Sequence, residues 1–206
     1  MIKRNDGDDS SPIATTTLVL NPSMKIYSIP RSQDYHFYIS GEIGSPEDYT
    51  DWFHIIRNAS EDDTVNIHIN SIGGNLSTAI QFIRVLRECQ AVITTSAEGE
   101  CMSAATLIFL CGDNVEISEH SSFMFHDYSG GAAGKGGEMY AMIDHDKNWS
   151  SKLFKAEYKD FLTNQEIDSI LGGRDIYMDG DEVLKRLNKK SKTTLKESRK
   201  KKDITE

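Results

Sequence analysis

Gly99-Glu100-Cys101-Met102-Ser103-Ala104-Ala105 follows a strand-like run at residues 91–97 and leads into Ser103–Leu110, which is apolar nearly all round. A helix of that kind belongs in a core, so the segment reads as buried strand, tight turn, buried helix. The same order recurs on either side. Residues 65–69 alternate as a strand, Asn70-Ser71-Ile72-Gly73-Gly74-Asn75 breaks it, and a helix follows with Leu76, Ala79, Ile80, Ile83 and Leu86 on one face. Upstream, residues 36–43 read as the first buried strand. Ser45-Pro46-Glu47-Asp48 then opens a helix, with Ser45 placed to cap it and Pro46 in its first turn. Downstream, short strands are expected at 114–117 and 122–126. Repeated strand–helix alternation predicts an α/β fold with a parallel sheet and right-handed crossovers.

The later elements are helical. A glycine-rich stretch at 129–137 precedes a long helix expected over about 138–160. Thr163-Asn164-Gln165-Glu166 has capping-box spacing, and Asp179-Gly180-Asp181-Glu182 opens the last helix. Residues 1–33 read as a largely irregular arm with one short strand near Thr16–Leu20, residues 34–188 as a single domain, and residues 189–206 as a basic, disordered tail. That tail carries a net +5 and the rest of the chain −14, within an overall −9. An acidic body excludes nucleic acid as the main partner. No apolar run approaches the ~20 residues of a membrane helix, and the N-terminus has no secretory apolar core. Cys89, Cys101 and Cys111 are odd in number and fit no metal knuckle, so a reducing, cytoplasmic setting is expected. Cys101, beside the serine, reads as small buried filler. No metal or nucleotide motif is apparent, and no cofactor is expected.

Three residues form a chemical set. Ser103, at a strand-to-helix turn, would expose its hydroxyl at the carboxyl edge of a parallel sheet, where open α/β sheets place their sites. His126 ends the next apolar strand, 23 positions on. Asp175 lies in a loop between two helices, after Gly173-Arg174. Nucleophile, base and orienting acid are what acyl transfer by a serine hydrolase needs. The first helical amide, of Ala104, can donate to an oxyanion, and the close approach allowed at Gly73-Gly74 makes the Gly73 amide a second donor. Each piece alone has a plainer reading, as a helix cap, a core histidine or a turn. Their joint placement is the specific signal. His68 falls on the opposite side of its strand from Ile67 and Ile69, and His36, His54, His120 and His145 are expected to face solvent. Asp144-His145-Asp146 lies in a predicted helix, where neighbours point apart.

From about Tyr35 to Leu187 these residues resemble the proteolytic subunit of the Clp protease (ClpP, caseinolytic peptidase). Phe37-Tyr38-Ile39-Ser40-Gly41 resembles that family's first buried strand. Ile69-Asn70-Ser71-Ile72-Gly73-Gly74 is similar to its I-N-S-P-G-G motif, and Gly99–Ala105 to its G-x-A-A-S-M-A/G motif. Phe123-Met124-Phe125-His126 with Gly130-Gly131 resembles M-I-H-x-P-x-G-G, and Arg174-Asp175-Ile176-Tyr177-Met178 resembles R-D-x-x-M/L. The resemblance implies a crotonase-like, repeated ββα core with a protruding handle helix. It implies Ser103 as nucleophile, His126 as base, Asp175 as the group orienting His126, and oxyanion donors at Gly73 and Ala104. Residues Ile72, Gly74 and Asn75, with Ser129, Gly130 and Gly131, would hold a polypeptide substrate as an added strand. It further implies a homo-oligomer of two stacked heptamer rings, a tetradecamer, fed by a hexameric Clp-type AAA+ ATPase.

The chain departs from the pattern in four places. Ile72 replaces a proline, leaving that turn less fixed. Cys101-Met102 replace two small residues and are expected to narrow the site. The family's closing strand after Leu187 is missing or altered, and the N-terminal arm does not resemble its axial loop. Two other readings therefore stand beside a Clp-type serine endopeptidase. One is a phage prohead or scaffold-processing protease working without an ATPase. The other is a catalytically silent scaffold.

Overall fold

The computed structural model of the chain describes residues 18–21, 24–26 and 32–189. The basic tail beyond Lys189 and most of the N-terminal arm lie outside the described residues. Within the arm, β1 (Leu18–Asn21) pairs antiparallel with β2 (Met24–Ile26), and β1 overlaps the short strand expected near Thr16–Leu20.

Alternating side chains build the main sheet. In β3 (Asp34–Ile43) Phe37, Ile39 and Ile43 are buried; in β4 (Thr64–Gly74) Val65, Ile67 and Ile69; in β5 (Val92–Met102) Ile93, Ala97 and Cys101. The next two strands are β6 (Asn114–Ile117) and β7 (Ser122–Phe125); β8 (Ile176–Asp179) comes much later in the chain. The order is β3-β4-β5-β7-β8, with β6 also on β5. All pairs are parallel except β7–β8. The apolar face is covered by α1 (Thr50–Asn58), α2 (Leu76–Glu88) and α3 (Ala104–Phe109). Phe53 and Ile56 of α1, Phe82, Val85 and Leu86 of α2 and every residue of α3 are buried there. Burial of such side chains supplies about 1.5–3 kcal/mol each against exposure.

Parallel sheets are usually covered on both faces. Here the second face of β3, β4 and β5 carries polar side chains that satisfy one another. Asp34 Oδ2 meets His36 Nε2 at 3.1 Å, His36 Nδ1 meets His68 Nε2 at 2.9 Å, and His68 Nδ1 meets Glu98 Oε1 at 2.5 Å. Tyr38 stacks on His68. His68 thus lies away from Ile67 and Ile69, as its alternation predicts.

Some expected boundaries shift. The segment after Ser45 is first a 3-10 turn, Pro46–Tyr49, and Ser45 makes no side-chain cap. Asn70 does not end its strand. β4 runs on to Gly74, because Gly73 and Gly74, at φ 93° and 144°, keep pairing with Glu42 and Ile43 across a register shift. β5 likewise reaches Met102. Between Ala97 and Cys101 it takes two more residues than β4 does opposite them, and the Asn70 side chain accepts the Glu100 N–H at 3.0 Å within that bulge.

The long helix is α4 (Gly136–Tyr158). Only Ser150, Phe154 and Tyr158, all toward its C-terminal end, are buried; Tyr140, Met142, Ile143 and Trp149 are exposed. It therefore projects from the core as a handle. In α5 (Asn164–Leu171) the Thr163/Glu166 capping box is present in both directions. Residues 180–189 form α6, whose Glu182 N–H donates to Asp179 Oδ1 at 2.9 Å.

Candidate active site

Ser103 sits between β5 and α3 in a conformation that few side-chain-bearing residues adopt, φ 54° and ψ −127°. It is the one non-glycine residue at positive φ among the described residues. Three contacts hold it there. Its N–H donates to Met124 O at 2.8 Å on β7. Its carbonyl accepts from Thr106 N at 3.0 Å and from Thr106 Oγ1 at 2.7 Å. Thr106 Oγ1 is in turn 2.8 Å from the Tyr158 hydroxyl, buried at the end of α4. Burial pushes the Tyr158 phenol upward, which keeps it a neutral partner in this network.

The turn aims the serine at the histidine. β7 ends at Phe125, whose ring is anchored in the core against Tyr158 and Phe161, so His126 emerges at the carboxyl edge. His126 Nε2 lies 2.6 Å from Ser103 Oγ, a distance at which the hydroxyl can donate to a neutral imidazole carrying its proton on Nδ1. That is the geometry of a nucleophile and its base.

Gly73 supports the same point from the other side. A Cβ there would lie 2.7 Å from Ser103 Cβ, 2.6 Å from Met102 O and 3.0 Å from Ala104 N. Only glycine allows this approach. The Gly73 N–H donates to Ser71 Oγ at 3.1 Å, and Ser71 in turn donates to Gly41 O. Ala104 opens α3, so its N–H is one of the first helical amides, which have no intrahelical acceptor.

Asp175 is not joined to His126. It directly precedes β8, and because Phe125 pairs with Ile176 the antiparallel register sets Asp175 opposite His126. Its side chain is exposed, and among the described residues no hydrogen bond links it to the imidazole.

A cleft of about 550 Å³ surrounds the serine and histidine. Of the residues expected to hold substrate, Ile72, Gly74, Asn75 and Ser129 line it. Gly130 and Gly131 follow in the exposed loop outside it. Asn75 also caps α2, its Oδ1 accepting the Thr78 N–H at 3.1 Å. Cys101 and Met102 do not narrow the cleft, because Cys101 points into the core and neither lines it. Burial drives the Cys101 thiol strongly upward, which makes it an inert filler.

The sequence did not single out Glu42, Leu76 as a cleft residue, Asp127, Tyr128 or Phe154, all of which line the site. Nor did it mark Thr106 and Tyr158 as supports of the serine turn. Glu42 and Phe154 approach only through tertiary packing and carry no local signal. Asp127 and Tyr128, adjacent to His126, could have been found from that adjacency.

Comparison with known proteins fits this geometry. The Clp protease family model matches residues 38–186, which include Ser103, His126 and Asp175. Comparison with curated proteins gives no significant match. Among solved structures, a ClpP1 mutant from Listeria monocytogenes superimposes with a TM-score of 0.62 at 18% identity. The match covers 73% of this chain and 86% of that one, and at such identity it speaks for the fold. A family match over most of the described domain, a shared α/β fold and a serine–histidine pair at the sheet edge lead to one conclusion: the chain belongs to the Clp protease family.

Proposed function

We propose that this chain is a serine endopeptidase of the Clp type. Ser103 Oγ attacks the peptide carbonyl while His126 Nε2 takes its proton. The C–N bond then breaks as His126 gives that proton to the leaving amine, and water activated by the same base hydrolyses the acyl-enzyme. The observation that carries this reading is the 2.6 Å contact made by a serine held at positive φ.

Asp175 orients His126 in this reading. Its position directly before β8, next to the Phe125–Ile176 pair that ends the β7–β8 ladder, supports this role. The Ala104 amide, and the Gly73 amide once it exchanges Ser71 for substrate, stabilise the oxyanion. Ile72–Asn75 and Ser129–Gly131 bind the polypeptide as an added strand. The exposed Tyr140, Met142, Ile143 and Trp149 of α4 favour burial against another copy. The family's arrangement of two heptamer rings enclosing the sites, supplied by a Clp-type ATPase in the cytoplasm, is the assembly we assign. The chemistry requires no cofactor.

Hydrolysis of a fluorogenic peptide by the purified oligomer tests the roles. Ser103→Ala and His126→Ala should each lower kcat by roughly four orders of magnitude or more. Asp175→Asn should lower it by roughly three to four orders, as loss of an orienting carboxylate does. Undiminished turnover in Ser103→Ala would remove the mechanism. Undiminished turnover in Asp175→Asn would remove only that residue's role.

A further inference from the structure

Among the described residues that line the cleft around Ser103 there are two carboxylates and no lysine or arginine. Glu42 stands on β3, where it pairs with Gly73. Asp127 directly follows His126. In the strand order these approach the reacting pair from opposite sides, one from β3 and one from the end of β7. Neither forms an ion pair among the described residues. Asp127 spends one oxygen on the neighbouring Tyr128 N–H, at 2.8 Å. The Tyr128 phenol is raised, first by desolvation and then by the charges of Asp146 and Asp127, which agrees with a negative local potential.

Ile72, Leu76, Met124 and Phe154 supply an apolar part of the lining, beside the uncharged polar side chains of Asn75, Tyr128 and Ser129. An apolar wall with carboxylates beside it suits a side chain with an aliphatic stem and a cationic end. Leucine or phenylalanine would use the wall and bring the carboxylates no cationic partner. An acidic side chain would meet two like charges.

We propose that this cleft selects polypeptides with lysine or arginine beside the scissile bond, and that Glu42 and Asp127 are the residues that determine this choice. The proposal rests on the peptidase reading of the same site. Charge pairs of this partly exposed kind support a preference of about tenfold.

Binding tests it without requiring turnover. Full-length Ser103→Ala is titrated against a fluorescent peptide with a central arginine and against the same peptide with citrulline, a neutral near-isostere. The arginine peptide should bind about tenfold tighter, and added salt should shrink the difference. In Ser103→Ala carrying also Glu42→Gln and Asp127→Asn, the ratio should fall to about one. A merely structural role would weaken both peptides alike and leave the ratio unchanged. Equal binding of the two peptides, tighter binding of citrulline, or no binding of either would overturn the proposal.

Hydrolysis by the wild-type oligomer separates the two claims. Cleavage sites mapped in unfolded casein should be enriched in lysine and arginine at the flanking positions. Efficient cleavage without that enrichment would overturn the selectivity and leave the peptidase standing. Arginine-selective binding with no hydrolysis would keep the selectivity and overturn the peptidase.

Discussion

Ser103 is held in a strained conformation by its surroundings. A residue at φ 54° and ψ −127° costs on the order of 1–3 kcal/mol and persists only where its neighbours over-determine it. Met124, Thr106 and, through Thr106, Tyr158 do so. Thr106→Val should therefore act twice. It leaves the buried Tyr158 hydroxyl without a partner, costing about 1–3 kcal/mol in denaturant unfolding. It also loosens the serine, so kcat should fall more than KM rises. Gly73→Ala should be worse, since its Cβ would meet Met102 O at 2.6 Å and the φ of 93° is itself unfavourable for alanine. Loss of peptide hydrolysis together with a lowered Tm is the expected result. At this scale Ser103, His126 and Gly73 were legible in the sequence, because strand ends and glycine pairs mark where a backbone turns. Thr106 and Tyr158 were not. They are 52 positions apart and read as ordinary helical residues until the fold joins them.

Among the elements, α5 and α6 are fastened by a carboxylate. Glu166 completes the capping box with Thr163 and also takes Nη1 and Nη2 of Arg186 at 3.0 and 2.9 Å. The Arg186 hydrogen bonds above all, helped by those from Thr163, hold its carboxyl down at about 2 against an ordinary 4.5. A carboxyl depressed by folding contributes stability that is fully present above its unfolded value. That contribution is lost as pH falls from about 4.5 to about 2. Glu166→Gln should therefore flatten the acid side of the stability–pH curve in that window, measured by denaturant unfolding at each pH. Thr163→Ala should cost about 1 kcal/mol at neutral pH through the lost cap. The capping box was legible because its four-residue spacing is local. The extension of β4 through Gly74 was not, since it depends on pairing with Glu42 and Ile43 of β3, and only the tertiary register shows that two glycines continue a strand.

For the whole molecule, the alternation of strands and helices was enough to foresee a parallel α/β sheet. What it could not supply was the face of β3, β4 and β5, or the half of α4, that no other described residues cover, because both depend on what packs where. The exposed Tyr140, Met142, Ile143 and Trp149 give α4 an apolar surface that the described residues do not cover. If two rings meet through this helix, Ile143→Asp should leave each chain folded by circular dichroism and shift the sedimentation coefficient to a smaller species. An unchanged sedimentation profile would place the contact between rings elsewhere.

A Clp-type serine peptidase requires Ser103 to be a competent nucleophile. The most direct measurement is the intact mass of the assembled protein after exposure to a fluorophosphonate, wild type beside Ser103→Ala, with the adduct located by peptide mapping. One adduct per chain on Ser103, and none in the variant, is the expected result. A folded, assembled wild-type protein that takes up no label, or takes it up equally in Ser103→Ala, would contradict it.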